Sequence, residues 1–207
     1  MSIFQPSVLK SHIALLDQKA VDKAYKQFAK YFLDPKIQEN IKTAKEEQYQ
    51  ATFLNELFVK IMGYTLFPDK NHNLVTEQKN EGNSRKADGA ILKGDAVTAV
   101  IELKGTKTKD LESIRKQAFD YKNFNTGCNY VITSNFEKLR FYIDDASTHE
   151  EFDLFSLSRK RFELLYLCIN KEQLLQHTPK TIKEESLVEE EKITKSFYKD
   201  YSLFKRE

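Results

Sequence analysis

The sequence predicts a mixed α/β fold, a central mixed β-sheet flanked by helices on both sides, in the order helix, three strands, helix, strand. Three observations carry that expectation. Apolar residues recur at helical spacing through the N-terminal part, three strand-like stretches follow between Leu74 and Lys104, and a helical segment separates the last of these from a further strand.

Taken in order, Leu9, Ile13, Leu16, Ala20, Ala24, Phe28 and Phe32 predict one or two helices between Ser7 and Phe32, interrupted by Asp34-Pro35. A further helix from about Ala44 to Met62 places Phe53, Leu54, Leu57, Phe58 and Ile61 on its apolar side, with Glu46 and Glu47 in its first turn and Gly63 as C-terminal cap. Strands are expected over Leu74 to Lys79, Ala87 to Lys93 and Val97 to Lys104, with Gly94-Asp95 turning the second into the third. The helix from Leu111 to Phe124 carries Gln117 and Tyr121 four apart, hence on one face. Strands over Cys128 to Thr133 and Leu139 to Ile143 precede a helix around Arg159 to Cys168. The segment from Glu184 to Glu207 begins acidic and ends basic, which suits a helix dipole. Its stripe of Ile193, Phe197, Tyr201 and Phe204 has little sequence left to cover it, and the helix is expected to dock on the domain or on something outside this chain.

Composition sets modest limits. A chain of 207 residues holds one domain with a substantial core, and a formal net charge of +2 gives no electrostatic argument for a polyanionic partner. Cys128 and Cys168 lie in apolar settings without metal-ligand spacing and read as reduced core residues of an intracellular protein. His12, His72, His149 and His177 are scattered and receive no role. With no basic-then-apolar leader and no run long enough to span a bilayer, the protein is expected to be soluble and cytoplasmic.

The chemistry concentrates at the most apolar strand. Glu102 and Lys104 share one face of the stretch from Ala96 to Lys104, and Asp88 ends the polar lead-in to the strand before it. Charges in such a setting must be paired or bind a metal. A three-residue loop at Gly94-Asp95-Ala96 would pair Lys93 with Val97 and so bring Asp88 beside Glu102, whereas a two-residue loop would separate them. Carboxylates that close repel each other, and a divalent cation relieves the repulsion. An acid two residues before a lysine is common in this chain, and Asp69 with Glu77 and Lys79 is a rival with a proline, Pro68, before the aspartate. That rival lies in a polar loop and on a polar-flanked strand, where a solvated charge is the ordinary explanation.

Asp88 and Glu102-Leu103-Lys104 resemble the PD-(D/E)XK nucleases, with Ala87 where the family often has proline. Gln117-Ala118-Phe119-Asp120-Tyr121 matches the Gln-x-x-x-Tyr motif on the helix after the catalytic strand in the RecB-like and type I restriction subfamily. From Glu46 onward the chain is similar to the N-terminal nuclease domain of bacterial type IIG restriction-modification enzymes, through Lys86-Ala-Asp-Gly-Ala-Ile-Leu92, Val100-Ile-Glu-Leu-Lys-Gly-Thr-Lys-Thr108, Tyr130-Val-Ile-Thr-Ser-Asn-Phe136 and Ile193-Thr-Lys-Ser-Phe-Tyr198. The resemblance implies a restriction-endonuclease-like core over residues 43–180, preceded by a helical extension over 1–42. Residues 181–207 would begin a connector towards a methyltransferase region that this chain lacks.

The resemblance also implies a site. Asp88, Glu102 and the carbonyl of Leu103 would hold Mg²⁺, or Mn²⁺ in its place, together with a glutamate on the first core helix. Spacing to Gly63-Tyr64 favours Glu47 for this last ligand over Glu46 or Glu56. Lys104 would orient the attacking water, and Gln117, supported by Tyr121, would position Lys104 or the DNA backbone. Lys107, Lys109 and Arg115 are candidates for phosphate contacts, although a charge-dense surface is usually only solvated. Double-stranded DNA is the implied substrate. The bland alternative is a structural ion pair of Glu102 with Lys104 or Arg85; the functional alternatives are an inactive nuclease fold used for DNA binding or docking, and a stand-alone repair nuclease.

Overall fold

The computed structural model describes residues 2–79 and 86–204. Its centre is a six-stranded sheet of β1 (Leu74–Lys79), β2 (Lys86–Lys93), β3 (Ala96–Leu103), β4 (Tyr130–Ser134), β5 (Lys138–Ile143) and β6 (Glu150–Asp153), ordered as in the sequence. Every neighbouring pair is antiparallel except β3 and β4, which run parallel and are joined through α5 (Glu112–Asn123). A parallel pair needs a crossover, and α5 supplies it.

The sheet has a large and a small covered face. On the large one, Ile91, Ala99, Ile101 and Leu103 join α2 (Gln18–Phe32), α4 (Glu46–Phe53) and α6 (Arg159–Ile169) in one cluster. On the other, Ala90, Val100, Val131 and Tyr142 pack with Ala118 and Tyr121 of α5. The fold class anticipated from the sequence is the one observed, a mixed sheet between helices.

Helix starts follow local chemistry. Asp17 accepts hydrogen bonds from the Lys19 and Ala20 amides at 2.9 and 3.2 Å to cap α2. Asp34 does the same for α3 (Pro35–Thr43), with Pro35 at its first position. Asp34-Pro35 therefore ends one helix by starting another, and α1 (Pro6–Ala14) and α2 are the two helices expected before it. The helix expected from Ala44 to Met62 begins as α4 but continues as a π-helix over Leu54–Ile61. Three elements went unanticipated. They are α3, the short edge strand β6, whose four residues include one apolar side chain, and α7 (Lys171–Leu175).

The N-terminal helices are part of the main core. Phe28 is fully buried, its ring 5.0 Å from Phe32 and 5.1 Å from Phe162 of α6. Phe28→Ala is expected to cost about 3–5 kcal/mol, read as a lowered denaturant midpoint, because the cavity lies between elements that cannot collapse independently. An unchanged midpoint would mean that the helices before α4 are only loosely attached.

The last helix, α8 (Thr178–Phe204), starts against the domain, where Ile182 and Ser186 are buried and Ser186 Oγ accepts the Gln5 amide at 3.0 Å. Beyond that turn Ile193, Phe197, Tyr198 and Tyr201 are more than half exposed. The side chain of Phe204, and the basic residues Lys205 and Arg206, lie outside the described residues, as does Arg85. No helix among the described residues is long and apolar enough to cross a membrane.

Candidate active site

The register of β2 on β3 decides whether the two acids meet. The turn is the two-residue one, Lys93 facing Ala96 and Leu92 facing Val97, which carried on unchanged would keep Asp88 and Glu102 apart. A bulge intervenes. Ile91 faces Ala99, so Thr98 is the extra residue on β3, and from there Ala90 faces Val100 and Gly89 faces Ile101. Continued by one residue, this register sets Asp88 opposite Glu102. Asp88 Oδ2 accepts the Leu103 amide at 2.7 Å.

Around this pair the end of β3 gathers polar and charged groups, its own Lys104 together with side chains from α4 and α5. Lys104 Nζ donates to Glu102 Oε1 at 3.1 Å and to the Leu103 carbonyl at 3.0 Å. Glu46, at the start of α4, brings Oε1 to 3.5 Å from the same amine and accepts the Gly105 amide on Oε2 at 2.9 Å. From α5, Gln117 Nε2 donates to Glu102 Oε1 at 2.5 Å and to the Tyr121 hydroxyl at 3.2 Å. The loop after β3 is pinned as well, since Thr106 Oγ1 donates to the Lys42 carbonyl and Asn135 Nδ2 to the Thr108 carbonyl.

Burial makes these charges costly. The Glu102 side chain is 1 % exposed, and burial first, then the Asp88 charge, pushes its pKa up to about 7. Burial also raises Asp88, against the Leu103 amide, which favours the ionised carboxylate. For Lys104 burial works downward, but Glu102, Glu46 and Asp88 outweigh it and the ammonium is held above its usual range. One atom is left over. Oε2 of Glu102 is buried with no hydrogen-bond partner, which in a native core calls for an explanation.

The donor types suit a hard divalent cation, being carboxylates and a main-chain carbonyl, and a bare buried carboxylate oxygen is what such a cation would satisfy. Among the described residues, no set of three or more His, Cys, Asp or Glu side chains is gathered to hold a metal as it stands. The Lys104 amine lies among the acids instead.

The structure brings together Asp88, Glu102, Leu103, Lys104, Gln117 and Tyr121. Glu47 is not among them, because it is exposed while Glu46 faces the cluster. Gln117 contacts Glu102 rather than Lys104. Gln50, one turn beyond Glu46, lies against Asp88 and favours its ionised form; sequence reasoning missed it, although its spacing of four from Glu46 puts both on one helix face. Lys107 is exposed on the pinned loop, Lys109 pairs with Glu137 at 3.0 Å, and Arg115 pairs with Glu112 at 2.7 Å. The rival acid Glu77 is 73 % exposed and bound to Lys86 at 2.8 Å, a solvated edge-strand charge.

Comparison with known proteins gives three findings. No curated protein matches the chain. Among solved structures, one described as the cryo-EM structure of a DrdV–DNA complex aligns with 17% identity and a TM-score of 0.42, over 72% of this chain and 13% of that one. The family model described as the N-terminal domain of MmeI matches residues 25–194, from within α2 to within α8, and so takes in the whole sheet and the acid cluster. The chain therefore belongs to the MmeI N-terminal domain family, the nuclease-domain family of type IIG restriction-modification enzymes.

Proposed function

We propose that this domain hydrolyses phosphodiester bonds of duplex DNA with Mg²⁺, as the cleavage module of a restriction-modification enzyme whose methyltransferase and specificity regions lie elsewhere in the full-length protein. The observation that carries the reading is Glu102, a buried carboxylate with one unpartnered oxygen, set beside Asp88, Lys104 and Glu46 at the end of β3.

Asp88, Glu102, the Leu103 carbonyl and Glu46 are the groups that would hold the cation. When bound, Mg²⁺ (or Mn²⁺) supplies Lewis-acid polarisation of the scissile phosphate and lowers the pKa of a bound water. Lys104, kept protonated by its acidic neighbours, orients the attacking water and offsets the negative charge that builds on the phosphoryl oxygens. Gln117 fixes the rotamer of Glu102, and Tyr121 fixes Gln117. Lys107, Lys109 and Arg115 would meet DNA phosphates only by giving up solvent or their present carboxylate partners.

Plasmid nicking or cleavage that requires Mg²⁺ and is lost with Asp88→Ala tests the reading. Cleavage persisting in that variant would overturn the site. Divalent-metal binding independent of both Asp88 and Glu102 would favour an inactive docking module. The fourth protein ligand separates two neighbouring residues: Glu46→Gln is expected to weaken Mn²⁺ binding measured by calorimetry by on the order of ten-fold, and Glu47→Gln to leave it unchanged. The opposite result would move the ligand to Glu47.

A further inference from the structure

We propose that the Lys104 ammonium competes with the divalent cation for the same oxygens, so that this side chain sets the metal affinity of the site. The inference rests on the nuclease reading above.

Lys104 Nζ lies 3.1 Å from Glu102 Oε1, 3.0 Å from the Leu103 carbonyl and 3.5 Å from Glu46 Oε1, and these groups are three of the donors a cation would use. A Mg²⁺ ion draws its oxygens in to about 2.1 Å, which would leave it and the ammonium in contact across a shared donor. Like charges at that separation in a half-buried site repel strongly. The repulsion sets the two against each other at the Leu103 carbonyl.

The remaining bonds narrow the alternatives. Glu102 Oε1 already accepts from Gln117 as well as Lys104, and Glu46 Oε2 is tied to the Gly105 amide. Glu102 Oε2 is thus the bare oxygen of the pair, and a cation reaching it gains full ligation only as the amine withdraws. Withdrawal is open to it, because the Lys104 side chain is 27 % exposed and its flexible stem can carry the ammonium to solvent or to an arriving phosphate.

The test is calorimetric titration of Mn²⁺ into the wild-type chain and its Lys104→Met and Lys104→Gln variants, each also with Asp88→Ala. Circular dichroism checks that each variant is folded. Both Lys104 variants are expected to bind Mn²⁺ on the order of ten-fold more tightly than wild type, with Asp88→Ala abolishing binding in every background. In the unmutated chain, ¹⁵N-lysine NMR is expected to show a Lys104 Nζ signal protected from solvent exchange, lost as Mg²⁺ saturates. Equal or weaker binding in both variants, alongside Asp88-dependent binding in wild type, would overturn the competition and leave the metal site standing. So would an Nζ signal unchanged at saturating Mg²⁺. Binding that Asp88→Ala affects in no background would overturn the metal site itself.

Discussion

Asp88→Ala and Lys104→Ala are each expected to lower Mg²⁺-dependent plasmid cleavage by on the order of 10³-fold, with the fold retained. The two losses have different causes. Under the proposed mechanism Asp88 would supply an oxygen to the cation, and in the structure it anchors β3 by accepting the Leu103 amide, so its removal would disturb the donor set at two points. Under the same mechanism Lys104 would offer charge to the transition state, and no other cation is drawn into the acid cluster by a described contact. Asp88→Asn should keep the Leu103 bond and still lose cleavage, which separates metal binding from strand anchoring. Asp88→Asn with wild-type cleavage would exclude Asp88 from the chemistry.

The second large effect is on stability. Glu102 has its pKa raised from its ordinary 4.5 to about 7 in the folded chain, first by burial and then by Asp88. Below about pH 4.5 the group is protonated whether the chain is folded or not, and its contribution is fully present. As pH rises the unfolded chain ionises first, the folded state holds more protons, and stability falls until the folded group has ionised near pH 7. A shift of this size corresponds to roughly 3 kcal/mol. In EDTA, wild type is therefore expected to lose stability between pH 5 and 8 that Glu102→Gln retains, and Mg²⁺ at pH 8 should restore it to wild type alone. Thermal melts measure both. Parallel pH profiles for the two proteins would show that Glu102 ionises at its ordinary pKa.

How much could be read in advance differs from residue to residue. Asp88, Glu102 and Lys104 are legible because three charges converge where apolar strands predict burial, whereas Gln117 and Tyr121 are singled out by the family motif they resemble, their spacing showing only that they share a helix face. That Glu46, rather than the favoured Glu47, faces the cluster has a physical reason. Counting back from Gly63-Tyr64 assumes an α-helical phase, but Leu54–Ile61 is a π-helix, with the Met62 amide bonded to the Leu57 carbonyl five residues back. The wider turn changes the angular phase between the first turn of α4 and Gly63, so a count at α-helical spacing does not fix which of two neighbouring glutamates faces the sheet. The edge strand β6 carried too little apolar patterning to be seen, since its ladder to β5 consists of backbone bonds any sequence can make.

Local pattern by itself determined the fold class, the order of most elements and the strand on which buried charges gather, because apolar periodicity and turn chemistry act over a few residues. Tertiary structure alone decided the site's final form. The two-residue turn argued against Asp88 meeting Glu102, and the bulge at Thr98 restored the pairing. The third acid, Glu46, comes from across a long chain separation, held by the Gly105 amide. Register and helix phase are set by what packs across the sheet, which no short stretch of sequence contains.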